Sequence, residues 1–132
     1  MSLPAAGATG FVAGGVRHVL QLEGLAVLTT AIAFYANAGF SWWLFALLFL
    51  APDLSMLAYL LGPRPGAIVY NLAHTYALAL ALAAIGFFAA LPVALAGGMI
   101  WMAHIGIDRT LGYGLKYQTA FGDTHLGRIG RN

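Results

Sequence analysis

No cysteine occurs among the 132 residues. That absence excludes disulfide frameworks, thiolate metal sites and cysteine nucleophiles, and it leaves the redox compartment open. Charge is nearly as scarce. Four acidic and six basic residues make up 8% of the chain, against roughly 25% in an ordinary soluble domain. A small soluble protein has a large surface for its volume, and this chain lacks the charges to cover one. The net charge of +2 is too small and too dispersed for a nucleic-acid surface, so no nucleic-acid partner is expected. The same composition excludes disorder, collagen and coiled coil. What the chain has instead is apolar residues, 61% of the total. The length suits one domain, residues 1–132. The fold class expected is an all-α polytopic membrane protein.

Spanning helices take roughly 20 apolar residues each, and four such segments are present. They cover about 19–38, 40–61, 67–90 and 93–111. The first is interrupted by Glu23. The second opens on Trp42 and Trp43 and ends before Gly62-Pro63-Arg64-Pro65-Gly66, which reads as a break because two prolines and two glycines do not continue a helix. Pro92 suits the first turn of the fourth helix. Residues 112–132 form a Gly-rich polar tail, read as an interfacial lid with Tyr113 and Tyr117 as anchors. Ala77, Ala81 and Ala84 are small residues at helical spacing that suit close packing in lipid. The first sixteen residues lack the charged start and long apolar run of a signal peptide and read as an interfacial arm.

Charge placement tests this segmentation independently. Arg17, Arg64, Arg109, Lys116, Arg128 and Arg131 all fall on the N-terminal segment, the Gly62–Gly66 loop and the C-terminal side, while Asn37–Ser41 and Ala89–Pro92 carry no charge. Segregation of every basic residue to alternate segments is the positive-inside pattern, so both termini are expected in the cytoplasm of a protein of the cell's inner membrane.

An ionisable group costs at least ~2.5–3.5 kcal/mol at the centre of a spanning helix, so each one calls for a reason. Glu23 lies on the first helix, Asp53 on the second, Asn71 and His74 on the third, and His104 and Asp108 on the fourth. At ~1.5 Å per residue, Glu23 is about 9 Å beyond Arg17, Asp53 roughly 14 Å above Gly62, and His74 and His104 each about 12 Å from their own loop. Four segments thus place polar groups in the same half of the bilayer, and one polar cluster is expected. His104 and Asp108 are four apart and share a helix face, as do Asn71 and His74, three apart. Pro52 inside a span frees the carbonyl near Leu48 and kinks the second helix beside Asp53. Ser55 either bonds back to that backbone or joins the site. His18 and His125 read as surface residues, with His125 folding back over the cytoplasmic mouth as the alternative.

Three readings of the cluster stay open. It is a hydrogen-bonded network that fixes helix register, a divalent metal site, or a station for protons or ions. As a metal site it would use Asp53, His74, His104 and Asp108, with Asn71 and Ser55 in support, and imidazole with carboxylate suits Zn, Mn or Fe. Glu23 would then be a fifth ligand or a general base. Gly112-x-Gly114 with Lys116 has neither the preceding strand nor the spacing of a phosphate loop.

These residues form a set. Arg17 and Glu23, Pro52-Asp53-Leu54-Ser55-Met56 with Tyr59-Leu60, and Tyr70-Asn71-x-x-His74-x-Tyr76 precede Ala103-His104-Ile105-Gly106-x-Asp108-Arg109. Leu111-Gly112-Tyr113-Gly114-Leu115-Lys116-Tyr117 and Thr124-His125-Leu126-Gly127 follow. Together, from about Arg17 to Gly130, they resemble the bacterial family filed as domain of unknown function 4260. The resemblance implies a small integral membrane protein and brings no activity with it. A weaker similarity is to membrane-bound metal-dependent hydrolases, through Pro52-Asp53 and His74. Ser55 and Met56 stand where that family has an aspartate and a histidine.

Two functions compete. One is a membrane binding or packing module, partnered by lipid, by further copies of itself or by another membrane protein. The other is a metal-dependent hydrolase of a lipid or amphiphile, with Glu23 as base and Arg109 neutralising a lipid phosphate. An ion pathway ranks last, because the outer half of the spans offers no polar continuation.

Overall fold

Within residues 10–129, which the computed structural model describes, α1 runs Gly14–Asn37, α2 Trp42–Leu48, a 3-10 helix Ala51–Leu61, α3 Pro63–Ala73, α4 Tyr76–Phe88 and α5 Pro92–Leu111. The strands β1 (Asp123–Thr124) and β2 (Gly127–Arg128) form a small antiparallel hairpin in the tail. End to end these elements make four rods, an all-α membrane bundle. Three segments are long and apolar enough to cross a membrane: Gly14–Asn37, Trp42–Leu61 and Pro63–Phe88. The outward surface is greasy, with Trp43, Leu60, Leu61 and Phe88 standing well clear of the bundle.

The fourth rod, α5, is less apolar for a physical reason. It is the hub, packed along both α1 and α4 and touched by α2, so its polar face points into protein rather than lipid. Glycine makes that packing possible. A Cβ on Gly24 of α1 would stand 2.5 Å from Arg109 Cβ and 2.9 Å from the Gly106 carbonyl oxygen. A Cβ on Gly98 of α5 would lie 2.5 Å from the Ala83 nitrogen of α4. The close face of α4 is therefore Ala79, Ala83 and Gly86, not the expected stripe, in which Ala77 and Ala81 are exposed.

Two breaks depart from straight spans. The second rod kinks as expected, but by changing helix type. Asp53 N–H bonds the Leu50 carbonyl at 3.0 Å, three residues back, and the 3-10 pattern persists to Leu61. The third rod, expected to be continuous, is interrupted at His74 and Thr75, where α3 ends and α4 begins with Thr75 as its N-cap. The Gly62–Gly66 segment is shorter as a break than its composition implies. Only Gly62, at φ +116°, lies outside helix, and Pro63 and Pro65 occupy the first turn of α3, where their missing N–H groups have no helical partner to lose.

The tail is docked rather than loose. Asn71 holds both backbone groups of Lys116, accepting its N–H at 2.6 Å and donating to its carbonyl at 2.7 Å. Arg17 Nε donates to the Leu126 carbonyl at 2.7 Å, and Val12 N–H to the His125 carbonyl at 2.7 Å. The two described ends of the chain therefore meet on one side of the bundle. His18 is exposed as expected, whereas His125 is half-buried, its Nδ1 accepting the Leu115 N–H at 2.9 Å.

Candidate metal centre

Asp53 of the 3-10 helix, His74 at the α3–α4 break, and His104 and Asp108 of α5 converge. One donor atom from each lies within 4.8 Å of all the others. His74 Nε2 is 3.2 Å from Asp53 Oδ1 and 3.5 Å from Asp108 Oδ2. His104 Nε2 is 3.2 Å and 3.3 Å from the same two oxygens. The two Nε2 atoms are 3.3 Å apart. Both imidazoles are buried, while the Asp53 side chain keeps 33% of its exposure and Asp108 15%.

The backbone breaks aim these side chains. His74 Nδ1 faces the Tyr70 carbonyl at 2.9 Å, one turn back, and its ring stacks on the Tyr70 ring with centroids 3.7 Å apart. His104 Nδ1 faces the Phe49 carbonyl at 2.6 Å. The 3-10 register releases that carbonyl, since Asp53 N–H turns to Leu50 instead; the freed group used by the site is thus Phe49 rather than Leu48. Ser55 bonds back to the Pro52 carbonyl at 2.7 Å, within the kink. The break in the third rod is capped from α5: Trp101 Nε1 donates to the Ala73 carbonyl at 2.5 Å and Arg109 Nη2 to the His74 carbonyl at 2.9 Å. Irregular backbone at membrane depth survives only when protein satisfies it in this way.

A carbonyl can only accept, so each Nδ1 carries the proton. Each neutral ring then presents a bare Nε2 lone pair inward. Two lone pairs and two carboxylate oxygens face one another. Four acceptors at such distances repel unless protons or a cation sit among them.

The remaining candidates lie elsewhere. Glu23 is exposed on α1 and outside the four-residue group, because Gly24 is the residue that faces α5. Arg109 is buried and gives its guanidinium to the His74 and Tyr113 carbonyls, facing inward rather than toward a headgroup. Asn71 serves the tail. Tyr70 and Trp101 were not among the expected residues. Tyr70 could have been found by its spacing four before His74, and Trp101 as an isolated mid-span indole whose N–H calls for an acceptor.

A family model described as a domain of unknown function (DUF4260) matches residues 17–129, the stretch that holds all of these groups. The chain belongs to the DUF4260 family. No curated protein and no solved structure matches it. The similarity to membrane-bound metal-dependent hydrolases gains nothing from these comparisons or from Ser55, whose hydroxyl bonds back to the Pro52 carbonyl. For this DUF4260 chain, what stands is a membrane bundle with a buried Asp/His cluster able to hold a metal ion.

Proposed function

We propose that the protein is a membrane-embedded metal-binding module in which one divalent ion joins the broken second and third rods to α5. The observation that carries this reading is the spacing of the four donor atoms. Zn–N and Zn–O bonds of ~2.0–2.1 Å in a tetrahedron set ligand–ligand distances of about 3.3 Å. Five of the six distances here are 3.2–3.5 Å. Backbone carbonyls on both Nδ1 atoms are the outer support that ligating imidazoles generally receive. A hydrogen-bonded network would instead need protons placed among the two Nε2 lone pairs and the two carboxylate oxygens.

Two imidazoles and two carboxylates suit a Zn(II)-type ion best among Zn, Mn and Fe. Four protein donors fill a tetrahedron, which favours a binding or structural role over a hydrolase, whose metal keeps one position open. With every Lys and Arg on alternate segments, both termini belong in the cytoplasm, and the ion sits in the cytoplasmic half of the inner membrane.

Thermal melts of detergent-purified protein with and without chelator test the reading. Bound ion at 100 times its Kd stabilises by about 2.7 kcal/mol, so chelation should lower the wild-type melting temperature and zinc should restore it. His104→Ala should melt identically with and without chelator. A wild-type melt indifferent to both chelator and zinc defeats the proposal.

A further inference from the structure

A second site lies apart from the metal cluster, where the start of α1, the end of α5 and the tail hairpin meet. They enclose an open cleft of about 830 Å³, whose walls include Phe11, Leu111 and Ile129 alongside Arg17 and Arg128. No acidic residue is among the lining residues. Arg17 uses Nε on the Leu126 carbonyl and Nη1 on Gln21, and Nη2 has no hydrogen-bond partner among the described residues. Arg128 is half exposed, with Nε paired to Asp123 at 3.1 Å. α1 starts at this cleft without a side-chain cap, so its first N–H groups add to the positive field. Phe11 and Leu111 are about 60% exposed beside these cations.

The cleft sits at the end of two spanning helices, and therefore at the level of lipid headgroups. Apolar walls next to two guanidiniums describe a ligand with a phosphate at one end and a hydrocarbon chain at the other. We propose that this cleft binds one anionic phospholipid, its phosphate between Arg17 and Arg128 and the start of an acyl chain along Phe11 and Leu111. The site is independent of the metal centre. It differs from general attraction of a basic surface because Arg64, exposed at the start of α3 on the same side of the bundle, lies outside it.

The test uses full-length protein in nanodiscs of phosphatidylcholine with a minor share of phosphatidylglycerol, followed by delipidation in detergent and quantification of retained lipid. The wild type should retain phosphatidylglycerol at least tenfold above its share of the bilayer. Arg128→Gln, which leaves the tail contacts of Arg17 in place, should lower that enrichment several-fold, and Arg64→Gln should leave it unchanged. Inorganic phosphate at millimolar concentration should not displace the lipid, because it lacks the acyl chain. Equal retention of the two lipids by the wild type overturns the proposal. So does an equal loss in Arg64→Gln and Arg128→Gln, which would mark general surface charge, or displacement by phosphate, which would mark a site for the free anion.

Discussion

His74 and His104 meet nose to nose: their Nε2 atoms are 3.3 Å apart, and each ring is held from behind by a backbone carbonyl at its Nδ1. The two carbonyls come from different rods, Tyr70 of α3 and Phe49 at the kink before the 3-10 helix. An ion between the rings therefore ties together three of the four rods, and groups that steady either ring should influence how tightly it is held.

Arg109 is such a group. Its guanidinium bridges the His74 carbonyl at 2.9 Å and the Tyr113 carbonyl at 3.0 Å, and a lysine has no fork with which to serve both. Arg109→Lys should leave one buried carbonyl without its donor, at a cost of about 1–3 kcal/mol. Metal affinity, measured by competition against a zinc chelator, should fall by about 10–100-fold. An unchanged affinity would show that the α3–α4 break does not position His74.

Glycine packing offers a matched pair on α5. A Cβ at Gly98 would stand 2.5 Å from the α4 backbone at Ala83, whereas one at Gly97 would meet only Leu82 Cδ2 at 3.8 Å. Gly98→Ala should force the helices apart and destabilise by roughly 1–3 kcal/mol. Gly97→Ala should be neutral or slightly stabilising, since alanine is the better helix former. Thermal melts of the two variants in one detergent decide this, and equal melting temperatures would contradict the α4–α5 approach.

The tail should respond to pH in two windows. Burial, with Arg109 nearby, lowers the His125 pKa below its ordinary value. The unfolded chain then binds more protons than the folded one as pH falls through about 6.5, and stability is lost on the acid side. Burial also pulls the Lys116 pKa down to about 8. Between about pH 8 and the unfolded value near 10.4 the unfolded chain again holds more protons, so stability from this group rises with pH. The melting temperature of the wild type minus that of Lys116→Met should increase across the upper window. A flat difference would mean that the Lys116 ammonium is not desolvated.

Much of the site was legible because its logic is local. His104 and Asp108 share a face by their spacing of four, and Asp53 follows a proline that had to disturb its helix. Comparing depths anticipated that Asp53, His74, His104 and Asp108 meet, but depth says nothing about azimuth. Glu23, counted to a similar depth in the sequence, is exposed and outside the group, because close approach of α1 to α5 at Gly24 and Gly106 sets which side turns inward. The break at His74 had only a weak local signal, Thr75 as a candidate N-cap, since Ala73-His74-Thr75-Tyr76 contains neither proline nor glycine. It is held by Trp101 and Arg109, which come from another rod, and only the assembled fold brings them there. Asn71 read as a companion of His74 on one face, yet its partner is the backbone of Lys116 in the tail.

Occupancy of the site formed by Asp53, His74, His104 and Asp108 can be counted directly. Elemental analysis of detergent-purified protein, reconstituted with Zn(II) and freed of excess ion, tests it most directly. The wild type should carry close to one ion per chain, His74→Ala and His104→Ala little or none, and Asp53→Asn and Asp108→Asn a reduced content. Wild-type protein carrying no more metal than His104→Ala would contradict the proposed metal site, and the four side chains would then be a hydrogen-bonded network that sets the packing of the rods.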